Sequence, residues 1–287
     1  MILLDFQTTM VANLMVGISK GQHEFTLNLD LLRHMVLNSV RSINMRYKKT
    51  HGRLVIATES DANWRKTVFP YYKANRKRSR DESPLDWGMI FESFGIIVSE
   101  MKEYMPYPVV GVSGAEADDV IGHLATRPQR GLEPVVIVSG DRDFIQLQRH
   151  LGVSQWNHVM KKEVGHPDPT AYLKEKIIRG DVGDGVPNFL SDDDVLVASE
   201  KKQKPIFTAK VEKWLQMTPE EICDGSEHLL RNWRRNELLV DLSRTPENLR
   251  SEIDDKYEQA KIKPNADVFT YFVNSGLKQL TPHVQDF

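Results

Sequence analysis

The chain has 287 residues, 40% of them hydrophobic and 27% charged, with a formal net charge of −2, a length that suits one large core plus a smaller appendage. Its single cysteine, Cys223, excludes an intramolecular disulfide and a thiolate metal cluster, as expected in a reducing cytosol. No apolar run approaches membrane-spanning length.

In chain order, Met1-Ile-Leu-Leu reads as a first strand ended by Asp5, without the basic n-region of a signal peptide. Asp30 is placed to cap a helix in which Leu32, Met35, Val36, Val40 and Ile43 recur at helical spacing. Leu54-Val-Ile-Ala57 is a second strand, followed by Glu59. From Ala62 to Arg80 the sequence holds Arg65, Lys66, Lys73, Arg76, Lys77, Arg78 and Arg80 with no acid, interleaved with Trp64, Phe69, Tyr71 and Tyr72. Cations neutralise phosphates and aromatic faces stack bases, so this mixture fits a contact surface for single-stranded or branched nucleic acid; a solvated basic helix is the alternative. Inserted between a strand and a helix, it would form a lid or arch over about 62–86, least ordered from Arg78 to Pro84. Phe91, Phe94, Ile97, Val98, Met101 and Met105 mark a helix that ends before Pro106. Val109-Val-Gly-Val112 leads to Glu116, Asp118 and Asp119, and Val135-Val-Ile-Val138 to Asp141 and Asp143. Val153-Ser-Gln-Trp156 offers one more strand. Pro169 to Ile178 reads as a helix stopped by Gly180, then a turn with Asp181 and Asp184 and helical sequence to the end. The expected organisation is a core over 1–165 and a helical region over 166–287.

Short continuous apolar runs followed by helical periodicity read as parallel strands of an α/β sheet, whose ligands bind beyond the carboxyl ends of the strands. Asp5, Glu59, Glu116, Asp118, Asp141 and Asp143 would then share one edge, extended by Asp181 and Asp184. So many carboxylates repel one another unless hard cations lie among them, and an all-oxygen set suits Mg²⁺, with Mn²⁺ as a substitute. Two such ions can activate water and stabilise the leaving oxygen in phosphodiester hydrolysis, with no protein nucleophile. Each motif has a plainer explanation when taken alone. Ser113 and Glu116 fit a capping box, acids in a helix's first turn suit its dipole, and Asp-x-Asp occurs in ordinary turns. Asp192-Asp-Asp194 follows no strand and is read as a helix N-terminus outside the site.

Taken in order, Leu4-Asp5-Phe6, Val55-Ile-Ala-Thr-Glu59, Trp64-Arg65-Lys66, Phe69-Pro-Tyr-Tyr72-Lys73-Ala-Asn-Arg76, Glu116-Ala-Asp118-Asp119, Ser139-Gly-Asp141-Arg-Asp143-Phe144 and Gly180-Asp181-x-x-Asp184 resemble the motifs of the 5′ nuclease superfamily. That superfamily contains flap endonucleases, the 5′ exonuclease part of bacterial DNA polymerases and phage 5′ nucleases. Likeness to its T-even phage ribonuclease H branch extends nearly end to end, through Thr270-Tyr-Phe-Val-Asn-Ser-Gly-Leu-Lys-Gln-Leu-Thr281 and the terminal Gln-Asp-Phe287. The resemblance implies a PIN-like α/β core with a mainly parallel sheet, and a smaller helical C-terminal region with a helix-three-turn-helix-like element. It also implies a Mg²⁺-dependent 5′ to 3′ exonuclease with flap endonuclease activity, which removes RNA primers and adjoining DNA during lagging-strand replication in an infected bacterial cytoplasm.

By motif position, the resemblance puts Asp5, Glu59, Asp118 and Asp141 around a first metal and Asp143, Asp181 and Asp184 at a second, with Glu116 and Asp119 in support. Lys73 and Arg76, with Asp118 and Asp141, would act on the scissile phosphate. Arg65, Lys66, Tyr72 and Lys77 would contact nucleic acid, with Tyr72 stacking near the terminal nucleotide. The substrates would be RNA–DNA hybrid and forked or flap DNA, bound by a monomer. Leu280, Val284 and Phe287 could dock on a sliding clamp or single-strand DNA-binding protein, or pack on the protein's own helices. Two positions depart from the family pattern. Glu59 stands where Asp is usual, moving the carboxylate by roughly 1 Å, and no Gly-x-Gly follows Gly185-Val-Pro187 to cradle a duplex phosphate. A junction-binding protein with a compromised metal site and a PIN-type RNA-processing nuclease are the competing readings.

Overall fold

The chain is seen in a computed structural model that describes residues 1–20, 27–60, 62–128, 131–261 and 267–287. Six strands form one sheet among the described residues: β1 (Ile2–Asp5), β2 (Leu54–Ala57), β3 (Val109–Val110), β4 (Val135–Val138), β5 (Val153–Asn157) and β6 (Lys162–Glu163), in the order β3-β2-β1-β4-β5-β6. All neighbours are parallel except β5 and β6. Both faces of the sheet are covered, which is why the strands read as unbroken apolar runs. Ile2, Leu4, Leu54, Ile56, Val136 and Val138 point into one core layer, and Leu3, Val55, Ala57, Val135 and Ile137 into the other.

The first layer is closed by α1 (Phe6–Lys20), α2 (Leu29–His51) and α5 (Trp87–Tyr104). Leu32, Val36, Leu37, Val40 and Ile43 form the buried stripe of α2, as their spacing predicts. Its cap is Asn28, whose side chain accepts from the Leu31 amide; Asp30 sits inside the first turn instead. The basic segment folds as α3 (Trp64–Val68) and α4 (Ala74–Asp81), so the stretch expected to be least ordered continues as helix to Asp81. The side chains of Lys77 and Arg78 lie outside the described residues. On the opposite face, α6 (Ala117–Thr126) begins with a capping box made by Glu116 and Asp119, not by Ser113.

A change from sheet to helix falls near residue 165, with α7 running Pro169–Arg179 from a Pro at its start to Gly180. The core does not divide there. The region spanning α7, α8 (Thr208–Leu215), α9 (Pro219–Cys223) and α10 (Glu227–Val240) has its own apolar cluster, centred on Ile178, Phe189, Trp214 and Trp233. Beyond it, α11 (Glu247–Lys261) returns to α6 through Leu249, Ile253 and Tyr257. Residues of α12 (Val268–Asn274) and the 3₁₀ turn Thr281–Asp286 enter the first layer with Leu277, Leu280 and Phe287.

Of the two readings of the apolar tail, packing on the protein's own helices is the one found. Leu280 is 2% and Phe287 8% exposed, Arg41 of α2 donates to the Asp286 carboxylate at 2.6 Å, and Asn44 donates to the Asp286 carbonyl at 2.8 Å. Asp192-Asp-Asp194 also departs from expectation. It lies in a turn rather than at a helix start, and Asp193 pairs with Arg231 and Arg235 of α10.

Candidate active site

Parallel pairing puts Asp5, at the end of β1, level with Ala57 of β2, while Leu4 lies level with Val138 of β4. The residues that follow, Glu59 and Asp141, therefore leave the sheet at the same edge. Helix α6 starts there and adds Asp118 in its first turn. Asp5 accepts from the Thr8 amide at 3.0 Å and the Ser139 hydroxyl at 2.7 Å. Burial raises its pKa, and nearby Asp141 adds to the rise. Asp118 is pushed well above the ordinary carboxylate range by burial and then by Asp141. Glu59 sits at the open rim. Desolvation within the cleft raises it, Lys73 opposes the shift, and Glu116 and Asp5 reinforce it. Among the described residues, no Lys, Arg or His lies within salt-bridge distance of Asp5, Glu59, Asp118 or Asp141.

The remaining acids are held by the chain's own cations. Asp143 and Asp181 share Lys176 of α7. Burial still pushes Asp143 up to about 6. For Asp181, burial is outweighed by Lys176 and by the amides of Asp184 and Gly183, and its pKa falls. Asp184 accepts from Arg76 at 2.5 Å and from the Tyr72 hydroxyl at 2.9 Å, with Lys73 at 3.7 Å. Glu116 receives Lys73, the Tyr72 hydroxyl and Arg65.

Backbone contacts fix this second group. Asp181 and Val186 close a tight hairpin by exchanging amide hydrogen bonds of 2.8 and 2.7 Å. The Asp184 carbonyl accepts from the Lys73 amide at 2.7 Å. Gly185 has φ +73°, and a Cβ there would lie 2.7 Å from the Tyr71 carbonyl, so a side chain would drive the hairpin off the arch base. Lys73 itself has φ +55°, a left-handed conformation that costs a non-glycine residue about 1–3 kcal/mol and is concentrated at functional sites.

Three residues expected on the reacting surface lie inside the protein. Arg65 is 1% exposed. Its guanidinium grips Asp119 through two bonds of 2.9 Å, reaches Glu116 at 3.0 Å and donates to the Leu239 carbonyl at 3.0 Å. Asp119 is fully buried and also accepts from Trp64, Thr245 and the Glu116 amide. With so many donors on its two oxygens, it anchors the fold and has no lone pair to offer a metal. Tyr72 packs against Phe69, Val186 and Leu239, so its ring presents no stacking face. Lys66 and Arg76 remain open to solvent, while the Lys77 side chain is outside the described residues. The residue that pattern reading missed is Lys176. Its position in the last turn of a helix stopped by Gly180, next to Asp181, is the signal that could have found it. Among the described residues, no three acids already converge closely enough to hold an ion, but the chemistry of Asp5, Glu59, Asp118 and Asp141 fits one: all oxygen, mutually repelling and outside salt-bridge distance of a cation.

A sheet edge lined with carboxylates, beside a basic helical segment and a helical C-terminal region, defines a nuclease class. The family described as 5′-3′ exonuclease, N-terminal resolvase-like domain, matches residues 27–177, and the family T4 RNase H, C terminal, matches residues 169–287. The chain belongs to the 5′-3′ exonuclease family, with the C-terminal region of its T4 ribonuclease H branch. It is 30% identical to Ribonuclease H of Enterobacteria phage T4 over 99% of this chain and 95% of that protein. It is 31% identical to Flap endonuclease Xni of Shewanella sp. (strain MR-4), over 44% of this chain and 48% of that protein. In fold it resembles the phage T5 D15 protein co-crystallised with metal ions, with TM-score 0.66, 15% identity and coverage of 90% and 98% of the two chains. The T5 D15 flap endonuclease in a pseudo-enzyme–product complex with DNA and metal ions gives TM-score 0.62 at 14% identity, covering 91% and 99%.

Proposed function

We propose that the chain is a metal-dependent, structure-selective 5′ nuclease: a 5′ to 3′ exonuclease with flap endonuclease activity that removes RNA primers and adjoining DNA during lagging-strand replication. The observation that carries this reading is the placement of Asp5, Glu59, Asp118 and Asp141 at one sheet edge, where among the described residues no basic side chain comes within salt-bridge distance of them, next to Lys73 and Arg76. Two divalent cations, Mg²⁺ by the hardness of the donor set, would supply an activated water and neutralise charge at the leaving oxygen. Asp5, Glu59, Asp118 and Asp141 would hold the first, and Asp143, Asp181 and Asp184 the second.

The chain's own side chains do the positioning. Lys73 and Arg76 are held beside the edge by Glu116 and Asp184, so a substrate phosphate entering there exchanges carboxylate partners for phosphate oxygens. Charge-assisted contacts of this kind orient the phosphate for in-line attack. Asp184 is shared between Arg76 and the hairpin, so the same exchange frees it for the second cation. Lys176 restrains Asp143 and Asp181 in the same way. Specificity would follow backbone shape and a free 5′ end more than base sequence, because the charged groups that the arch base offers, Lys66, Lys73 and Arg76, are cations suited to phosphate. All acids of the set come from one chain, so a monomer suffices. Of the three tail residues, Leu280 and Phe287 are buried in the core, so docking on a sliding clamp or single-strand DNA-binding protein would have to use the surface around Val284.

The test is cleavage of a 5′-labelled forked duplex, bearing either an RNA or a DNA 5′ strand, with Mg²⁺ and with excess chelator. Short products from the 5′ end, released only with metal, are expected. Tight fork binding without cleavage in Mg²⁺ or Mn²⁺ would replace this reading with a junction-binding role. Cleavage indifferent to a free 5′ end would favour a PIN-type RNA nuclease.

A further inference from the structure

The turn after the hairpin is built around a buried cation that the chain itself supplies. Arg235 of α10 is 8% exposed. One of its terminal nitrogens donates to the carbonyls of Pro187 at 3.1 Å and Asn188 at 3.3 Å. The other donates to the Ser191 carbonyl at 3.3 Å and the Asp193 carboxylate at 2.5 Å. Its Nε donates to the Asn236 side chain at 3.0 Å. The shell around it is equally occupied. Asn236 donates to the Pro187 and Ile177 carbonyls at 2.9 and 2.8 Å, Asn232 donates to the Ser191 carbonyl at 3.1 Å, and Arg231 holds Asp193 from outside. Three backbone carbonyls and a carboxylate aimed at one point would repel one another if the cation were removed.

The turn also reaches the site from two sides. Pro187 directly follows the hairpin that carries Asp181 and Asp184, and the Arg235 guanidinium lies over the Phe69 ring at 5.7 Å, within the arch base. We propose that the 187–193 turn is a cation-holding element and that Arg235 is its resident cation, a positioning residue that fixes the hairpin against the arch base. The geometric part rests on the contacts alone; the consequence for substrate rests on the nuclease reading. Asp193 is accordingly a member of this cation shell rather than part of a helix start.

Arg235→Ala opens a guanidinium-sized hole lined by oxygen, which free guanidinium at millimolar concentration should refill. The first measurement is the thermal unfolding midpoint of wild type and R235A in chelator, with guanidinium or tetramethylammonium chloride at equal ionic strength. Guanidinium should raise the R235A midpoint over its tetramethylammonium value while leaving wild type unchanged or slightly lowered. The second is forked-duplex affinity in chelator, where R235A should bind about tenfold more weakly, equivalent to about 1.4 kcal/mol, and recover in guanidinium. R235K, which keeps a charge in the nest, should lose less and show no response to guanidinium. A folded R235A with midpoint and fork affinity indifferent to cation identity overturns the proposal. If R235A fails to fold in either salt, R235K decides: folded with fork affinity within about threefold of wild type supports a resident cation, a difference of under about 0.7 kcal/mol, and unfolded or more weakly binding overturns it. Wild type that binds no fork would sink the nuclease reading, while the melting comparison would still decide the cation site.

Discussion

Along one sheet edge, two groups of carboxylates meet opposite treatment. Asp5, Glu59, Asp118 and Asp141 share this edge with no cation of the chain within salt-bridge distance among the described residues, and Asp5, Glu59 and Asp118 have their pKa raised. Glu116, Asp143, Asp181 and Asp184 are each bound by Lys73, Arg76 or Lys176, and Asp119 is sealed inside by Arg65. The residue type is the same, so what separates the roles is the partner. A carboxylate paired with a buried Arg holds the fold together, one paired with Lys73, Arg76 or Lys176 ties the arch base, the hairpin or α7 to the edge, and one left unpaired is available to a divalent cation.

Substitutions test this separation, the largest effect coming from the unpaired group. Asp141→Asn should lower metal-dependent cleavage on the order of 10³-fold, since a metal site supplies several kcal/mol of charge stabilisation, while fork binding in chelator is retained. Unchanged turnover would remove Asp141 from the reacting centre. At the sealed extreme, Arg65→Met leaves Asp119 buried and uncompensated and should destabilise the fold by about 3–5 kcal/mol. Asp119→Asn keeps one acceptor oxygen and turns an amide nitrogen toward donors that now bond the other oxygen, so it should destabilise the fold as well. A denaturant midpoint for R65M equal to wild type would show that the pair anchors nothing. Between the extremes, Lys73→Ala should slow cleavage by about 10²-fold, the usual loss for one charge-stabilising donor, and weaken fork binding only a few-fold. Equal losses in both would reduce Lys73 to plain phosphate affinity.

The unpaired group was legible in the sequence because it is set by local rules. Buried parallel strands read as continuous apolar runs, and their ends, Asp5, Glu59 and Asp141, are fixed once register is fixed. The start and stop of α7 were equally visible in Pro169 and Gly180. Partners were not legible, because they are matters of tertiary approach. Nothing near Asp119 in sequence announces Arg65, 54 residues earlier. Arg65 belongs to a run in which Lys66, Arg76 and Arg80 are exposed, and the packing of Trp64 and Phe69 turns it inward. The same holds for the tail. Leu280 and Phe287 have the composition of either a docking motif or a core strand-cover, and contact with α2 decides between them. The Glu116–Asp119 box defeated the simpler Ser113 reading because Asp119 needed its backbone donor to complete a buried site.

An unpaired acid and one whose partners outweigh burial should also differ in the pH dependence of stability, with opposite signs and smaller size. Asp118 has a raised folded pKa, so its neutral form is the one the fold prefers. In chelator, wild type and Asp118→Asn should therefore melt alike below the unfolded carboxylate value of about 3.9. Wild type should fall behind as pH rises from there toward the folded pKa, losing about 1.4 kcal/mol per pH unit over that interval and no more above it. Mg²⁺ should reverse the order near neutrality, because it stabilises only the chain that keeps the full ligand set. Asp193 provides the opposite case. Burial works against its charge, but hydrogen bonds from Arg231 and Arg235 hold its carboxyl below the ordinary range. Asp193→Asn should therefore be less stable than wild type above about pH 4, with the gap closing as pH falls through the depressed folded value. Melting curves of the two variants across this range, with chelator and with Mg²⁺, carry the comparison. If Asp118→Asn is less stable than wild type at neutral pH in chelator, the carboxylate edge is held together by attraction rather than strained by repulsion.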